Sequence, residues 1–527
     1  KIPVQDPIAT KWGQFGFQNT HEPPNHNPKA HANGILKYRN NKEPNEHFVN
    51  DLYHEIRDII DEVLTFHGVH GTKVLPLHEV EKPSDSSPGF PYLNTYQSED
   101  ELAADDPSVY RTMEKHLFFG GKVVWYQFLK TENIKVKKIL LNDVRSICCP
   151  PAPFSRLQAR FDQHLNELIK AYPGKWGSAV GFTPFHGELG SLLNPFLKFQ
   201  NFREVDFKRW DGSLHKEYIK ACRAARRWHM ACSLDENKLI KNIDANLVDR
   251  ITVTTTGNLY LIEGGMPSGQ MSTSADNSLI NYALHRLFYR SQDVEHYTLV
   301  YGDDCLSGLS KPIDPAVDIA WFNDKGLEIP ESDHKTSTSL IGMTFCGFHI
   351  DYREGHYVPV YKTDKIVSSL QNPANHSKTV EDFWAKLVSA LCLLWHTGWR
   401  AKLQNRLVEL CREFDFPLPG DEFFFELVGG GPKNYHGSRN EIQTKQATEE
   451  SYLGEYVQLF WDQANIKGTA SARLLSSSPA PISVRRRGRR KKKESRTRQP
   501  GETQGAGCCS KEKTIPKQAT AKEGASI

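Results

Sequence analysis

Residues 297–309 read YTLVYGDDCLSGL: an apolar run, a Gly-Asp-Asp step and a second short apolar run. Two strand-like stretches around a glycine-bearing turn make a hairpin signal, with Asp303 and Asp304 at its tip. Neighbouring aspartates ordinarily mark a solvated turn. Their chemical use is different: carboxylates this close repel each other unless a divalent cation neutralises them, and the hard, oxygen-seeking Mg2+ does so.

Upstream, residues 202–213 read FREVDFKRWDGS, where Asp206 ends a run of strand character and Asp211 lies just past a short connection. If the two runs are neighbouring strands, Asp206 faces the Asp303 tip, and three convergent carboxylates suit two Mg2+ ions in an in-line phosphoryl transfer. Alone, such a spaced pair is common on surfaces. Between these segments lies GGMPSGQMSTSADNSLIN, residues 264–281. Gly264, Gly265, Pro267 and Gly269 make a loop, and Ser268, Thr273 and Asn277 fall at the start of a helix that continues through Leu279, Ile280 and Ala283. Such a loop often does no more than cap its helix. The functional alternative is to orient Asp211 and hydrogen-bond a ribose 2′-hydroxyl, the group that separates RNA precursors from DNA precursors.

Taken in order, the DxxxxD, GMPSGxxxTxxxN and YGDD segments resemble motifs A, B and C of the RNA-dependent RNA polymerases of positive-strand RNA viruses. SSPGFPY (86–92) resembles the family's motif G, the fingers loop near template entry, which implies an RNA contact at Gly89. FLKTENIKVKKILLNDVRSICCPP (128–151) resembles the basic motif F, which lies over the incoming triphosphate. That likeness makes Arg145, Lys130, Lys137 and Lys138 candidate phosphate contacts, Arg145 first, because a bidentate guanidinium suits a phosphate whose charge grows during transfer. Spacing leaves open which of Lys135, Lys137 and Lys138 reaches the nucleotide. KGLEIPESDHKTS (325–337) is similar to motif D, whose lysine is proposed to protonate departing pyrophosphate; Lys335 is the implied general acid, with the preceding His334 as the alternative. GMTFCGFHI (342–350) stands in the place of motif E, the hairpin that grips the primer strand. Its Phe-Cys-Gly-Phe core, together with DENKLIKNIDANLVDR (235–250) and LNDVRSICCPP (141–151), is similar to the astrovirus polymerases of the picornavirus-like supergroup.

The resemblance implies an α+β fold, a closed right-hand polymerase of fingers, palm and thumb. Its expected parts are an extended N-terminal segment (1–49) wrapping the fingers, fingers at 50–200, a palm with a second fingers insertion at 201–358, a thumb at 359–464 and a disordered basic tail at 465–527. The implied reaction joins nucleoside triphosphates into RNA along a template, releasing pyrophosphate, with two Mg2+ ions (or Mn2+ as substitute) on Asp206, Asp303 and Asp304. The implied partners are template and primer RNA, nucleoside triphosphates, a protein primer and other viral replication proteins, at membrane-associated replication complexes in the host cytoplasm. A reverse transcriptase also uses an aspartate triad, but usually carries a bulky aromatic residue where Asp211 stands, and no nuclease domain is apparent. A non-catalytic RNA-binding scaffold on the same fold would act through the tail and would not need intact carboxylates.

Composition bounds the same picture. The 527 residues, 38% hydrophobic and 11% aromatic, suffice for a large core and exclude a wholly disordered or collagen-like chain. A net charge of +3 hides a division: residues 465–527 hold 16 Lys and Arg against 4 Asp and Glu, a balance of +12, and the remainder stands at −9. Arg485, Arg486 and Arg487 open the cluster of like charge in that tail, which offers an RNA or anionic-membrane contact. Ten cysteines without a CxxC pair read as reduced thiols. No apolar run reaches the roughly 18 residues of a membrane span. The start KIPVQDPIATKWGQ, lacking Met and an apolar signal core, is expected of a chain processed or cut from a longer one. Periodicity predicts helices over 48–66, 154–171, 215–233, 236–253 and 383–414, with β-branched runs flanking Asp206, Tyr260 and Val300 and with Trp395 and Trp399 in a core.

Overall fold

Asp6-Pro7 and Asn27-Pro28 each start a helix in the computed structural model, which describes residues 6–38, 42–82 and 86–428. A capping side chain followed by proline in the first turn is a strong start signal; Asp6 accepts the N–H groups of Ile8 and Ala9 at 2.9 and 3.1 Å. The opening segment therefore folds as α1 (Pro7–Trp12), β1 (His21–Glu22) and α2 (Pro28–Leu36), which corrects the expectation that it is extended. It also touches more than the expected fingers. Phe15 and Phe17 pack edge-on against Trp399, and Arg406 donates to the Trp12 carbonyl at 2.6 Å.

Next comes α3 (Glu46–Phe66), whose stripe from Leu52 to Leu64 is buried at helical spacing. The chain continues through α4 (Glu99–Asp105), α5 (Val109–Phe118), β2 (Val124–Leu129), β3 (Ile134–Lys135), α6 (Val136–Leu140), β4 (Ser146–Cys149) and α7 (Ala152–Lys170). After α8 (Glu188–Leu193) come β5 (Asn201–Val205), α9 (Trp210–Ser213), α10 (Lys216–Trp228) and α11 (Leu234–Val248). Here α10 ends short of Ser233, which instead caps α11 in a capping box with Glu236. The helix expected over 236–253 stops at Val248 and turns at once into β6 (Asp249–Thr254), which runs antiparallel to β7 (Leu259–Glu263) and parallel to β2. Branched Ile251, Thr252, Val253 and Thr254 prefer the strand, and the sheet β4-β2-β6-β7 takes up its hydrogen bonds.

The segment that positions the site is α12 (Thr273–Ser291), the hairpin β8 (His296–Tyr301) and β9 (Asp304–Leu309), α13 (Pro315–Asp324) and β10 (His334–Ser337). Its strands join β5 in an antiparallel sheet of order β10-β5-β9-β8. Side chains alternate between two cores: Val205, Val300 and Leu309 pack with α3, α10 and α12, while Phe202, Leu299 and Leu306 pack on the opposite side.

The second core includes β11 (Thr344–Phe345), β12 (Phe348–Arg353) and β13 (His356–Tyr361), then α14 (Thr363–Gln371), α15 (Val380–Leu393), α16 (Arg400–Phe414) and α17 (Asp421–Val428). The single helix expected over 383–414 is thus two. Thr397 donates its hydroxyl to the Leu394 carbonyl and Gly398 follows, both unfavourable to helix continuation. Trp395 stacks on Phe424 at 4.7 Å, and both Trp395 and Trp399 serve the core as expected. The rest of the expected thumb and the basic tail, with Arg485, Arg486, Arg487, Cys508 and Cys509, lie outside the described residues. Among the described residues, no helix is long and apolar enough to cross a membrane.

Candidate active site

β5 and β9 pair with Val205 opposite Cys305, so Asp206 follows directly beside the hairpin tip. The tip itself is built by α12. Gly302, in the left-handed region at φ 63°, donates its N–H to Ser278 Oγ at 2.9 Å and accepts Asn281 Nδ2 at 2.9 Å. Ser278 and Asn281 escaped the sequence reading, although the SADNSLIN stretch puts Ser278 and Asn281 on one face at i,i+3. On the other side, the Asp206 N–H donates to the Asp333 carbonyl at 3.0 Å.

The carboxylates feel one another. Partial burial, then Asp303, then Asp333 push the Asp206 carboxyl up to about 6, against a smaller opposing pull from Lys138 and Lys362. Cys346, at the β11–β12 turn, adjoins the same group: burial, then Asp304 and Asp303, push its thiol well above the ordinary value. Repulsion of this kind is what a divalent cation relieves. Among the described residues, however, no group of three or more His, Cys, Asp or Glu side chains is arranged to hold a metal ion by itself. The expected trio of Asp206, Asp303 and Asp304 is therefore not a closed cage. That fits Mg2+, which commonly keeps waters and substrate phosphates among its ligands, better than an ion needing an all-protein shell.

Asn277 donates from Nδ2 to Asp211 Oδ1 at 2.9 Å, joining two of the expected ribose-sensing residues. Its own Oδ1 is buried and has no hydrogen-bond partner among the described residues. The loop before α12 is stitched to α9: Met266 N–H donates to the Asp211 carbonyl at 2.6 Å and Gly265 N–H to that of Leu214 at 2.8 Å. Gly265 has φ 64°, and a Cβ there would meet the Tyr38 ring at 2.4 Å. Ser268 and Thr273 are otherwise engaged than expected. Ser268 Oγ accepts the Cys148 N–H at 3.3 Å, and the Thr273 hydroxyl stands 2.8 Å from the Pro267 carbonyl and 2.9 Å from that of Gln270. Both hydroxyls close the loop on the chain's own backbone.

Over this loop, the Lys130 N–H donates to the Arg145 carbonyl at 2.8 Å, and both side chains flank Glu132, at 3.6 and 3.5 Å. Lys365 of α14 approaches the same carboxylate at 3.7 Å. Burial opposes its ionisation, yet Arg145, Lys130 and Lys365 together hold Glu132 below the usual carboxylate range. The sequence does not single out Glu132; the available signal is two acids, Glu132 and Asp143, among five Lys and Arg in residues 128–145. Lys137 and Lys138 are exposed on α6, with Lys138 3.9 Å from Asp143.

Lys335 lies opposite Glu204 in the β10–β5 register, 3.9 Å from its carboxylate, and donates to the Gly342 carbonyl at 2.6 Å. His334 is committed elsewhere: its Nε2 lies 2.7 Å from Asp318, inside a buried ion pair with Arg203. That occupation argues against His334 as the proton donor. Gly89, at φ 71°, packs so closely on the next segment that a Cβ would stand 2.7 Å from Pro151 Cα. Its glycine is thus explained by the chain's own packing.

The family model described as viral RNA-dependent RNA polymerase matches residues 16–395. The non-structural polyprotein 1AB of Avian nephritis virus 1 is 31% identical over 389 residues, covering 68% of this chain and 26% of that one. Its counterpart from Human astrovirus-4 is 28% identical over 399 residues, covering 71% and 28%. The chain therefore spans about a quarter of the length of these curated relatives. Among solved structures, the Sicinivirus 3Dpol RNA dependent RNA polymerase superposes with a TM-score of 0.63 at 18% identity, covering 79% of this chain and 92% of that one. At that identity the likeness establishes a shared right-hand fold.

Proposed function

We propose, because the chain belongs to the viral RNA-dependent RNA polymerase family, that its RNA-directed RNA synthesis is carried out by Asp206, Asp303 and Asp304 on the central sheet. The observation that carries this assignment is the β5–β9 register, which brings two segments nearly a hundred residues apart to one point. When bound there, two Mg2+ ions, or Mn2+ in their place, would supply Lewis-acid activation of the primer 3′-hydroxyl and neutralise charge on the triphosphate. The carboxylates hold that charge in place. Arg145 and Lys130 bind the triphosphate, with Lys137 and Lys138 adding positive potential from α6, and Glu132 keeps the first two aligned while the site is empty of nucleotide.

Asp211 and Asn277 read the ribose: the Asn277 amide donates to Asp211, which leaves its oxygen as acceptor for a 2′-hydroxyl proton. Lys335 gives its proton to the departing pyrophosphate after leaving the Gly342 carbonyl. Sequence choice belongs to base pairing, since template contacts are made through the phosphate backbone. By analogy with the longer polyprotein relatives, the working partners are template and primer RNA, nucleoside triphosphates, a protein primer and other viral replication proteins, at membrane-associated complexes in the host cytoplasm. Fractionation of cells expressing the chain with and without those proteins tests that location.

Template-directed synthesis with Mg2+ withheld and restored, using ribo- and deoxyribonucleotides in parallel, is the decisive assay. Metal-dependent incorporation with a ribonucleotide preference is expected. A preference for deoxyribonucleotides would favour a reverse transcriptase, and RNA binding without any incorporation would favour a scaffold.

A further inference from the structure

Gln270, in the turn that leads into α12, and Asp276, in the first turn of that helix, are polar residues in an otherwise closed interior, 4% and 0% exposed. Nothing in the proposed chemistry uses them. Asp276 lies in a buried lattice of three arginines from α10 and three aspartates from α7, α11 and α12. Arg223 grips Asp162 with two nitrogens at 2.7 and 2.8 Å and reaches Asp244 at 2.8 Å and Asp276 at 3.2 Å. Arg226 meets Asp276 at 2.6 Å, and Arg227 pairs with Asp244. Three positive and three negative charges cancel. A buried, balanced and bidentate array of this sort fixes geometry more than it adds stability.

The neutral amide of Gln270 joins the loop to this lattice. Its Nε2 donates to Asp276 at 3.1 Å, while its Oε1 accepts Gln158 Nε2 at 2.6 Å and the Ser272 N–H at 2.8 Å. Ser272 itself donates to Asp162 at 2.8 Å. The loop is thus held at one end by β4, through Ser268 and the Gly269 N–H to the Cys148 carbonyl at 2.9 Å, and at the other by α7 and α10. Successive helix residues point about 100° apart. Asp276 therefore faces the lattice while Asn277, next along, faces Asp211.

We propose that Gln270 is a positioning residue for ribose selection: by tying the loop to the arginine–aspartate lattice it sets where Asn277 stands relative to Asp211. This rests on the polymerase assignment above. A loop released at Gln270 keeps its β4 contacts but lets the first turn of α12 shift, and ribose recognition is sensitive to such shifts because misplacement by about 1 Å costs on the order of a hundredfold in rate.

The test uses the full chain carrying Gln270→Ala or Gln158→Ala, with kcat and KM measured for matched ribo- and deoxyribonucleotides beside thermal unfolding. The second variant serves if the first fails to fold. Expected is a fall of roughly tenfold in the ribo-to-deoxy ratio of kcat/KM for Gln270→Ala and a smaller fall for Gln158→Ala, with both variants still folded at the assay temperature, the double variant being no worse than Gln270→Ala, which already removes the Gln158 contact. Gln270→Glu keeps the acceptor for Ser272 and loses the donor to Asp276, so its ratio should fall too. If the wild-type chain incorporates nucleotides and the variants keep its ratio, the positioning role is overturned and the polymerase assignment stands. No incorporation by the wild type overturns both.

Discussion

Val205 on β5 stands opposite Cys305 on β9, which sets the next residue, Asp206, beside the hairpin tip, where its carboxyl feels the charge of Asp303. A slip of one residue would send Asp206 into the core and Val205 into the site. Because the metal-free carboxylates repel each other, Asp206→Asn or Asp303→Asn should remove at least about a thousandfold of nucleotide incorporation, several kcal/mol of transition-state stabilisation being lost. The same change should leave the fold intact and raise the metal-free melting temperature slightly. Primer extension paired with thermal unfolding checks both, and an active variant would falsify the assignment.

Asn277 and Asp211 are bonded to each other at 2.9 Å, so either one alone depends on the other for orientation. Asn277→Ala and Asp211→Ala should each reduce preference for ribonucleotides by roughly tenfold or more, since a site built to hydrogen-bond a hydroxyl discriminates through that bond. Competition between matched ribo- and deoxyribonucleotides measures it; equal discrimination in wild type and variants would remove these residues from ribose sensing.

Arg145 shares Glu132 with Lys130 and Lys365, which fixes its guanidinium against that carboxylate. Arg145→Ala should lower kcat/KM for nucleotide by about a hundredfold, and Arg145→Lys should recover only part, because an ammonium cannot form the planar two-bond contact to phosphate. Full recovery by lysine would mean that charge alone matters there.

Lys335 and His334 are neighbours with different surroundings: one exposed near Gly342, the other buried against Asp318. Lys335→Ala should reduce kcat by about a hundredfold while leaving nucleotide KM nearly unchanged. His334→Ala should instead lower stability. Single-turnover rates decide between them; a larger rate loss from the histidine variant would reverse the roles.

Much of this arrangement was readable because the chemistry needs particular residues at short spacings. Gly-Asp-Asp between apolar runs requires a hairpin, and the buried stripe of α3 repeats at helical period. What escaped was set by distant partners. The end of α11 at Val248 depends on β6 finding β2 and β7. Ser268 and Thr273 bond to β4 and to the loop's own carbonyls, contacts that sequence order does not reveal. One of the three cations around Glu132, Lys365, is 233 positions away.

Asp318 ties the central sheet to α13 from within the core: Arg203 binds it through two nitrogens and His334 adds a third contact. Burial disfavours its charge, but Arg203 and the hydrogen bonds from His334 and Arg203 outweigh that and bring the carboxyl down to about 2, from 3.8. A group whose folded value is depressed contributes stability that is complete above its unfolded value and disappears as pH falls through the folded one. The stabilisation is therefore full above about pH 4 and lost between about pH 4 and 2. Asp318→Asn leaves Arg203 buried beside a neutral partner, so it should cost about 3–5 kcal/mol near neutrality. The gap between wild type and variant should narrow only once the medium is more acidic than about pH 4. Urea unfolding midpoints from neutral to acidic pH measure it, and a gap that closes already near neutrality would show that Asp318 is not held ionised by Arg203.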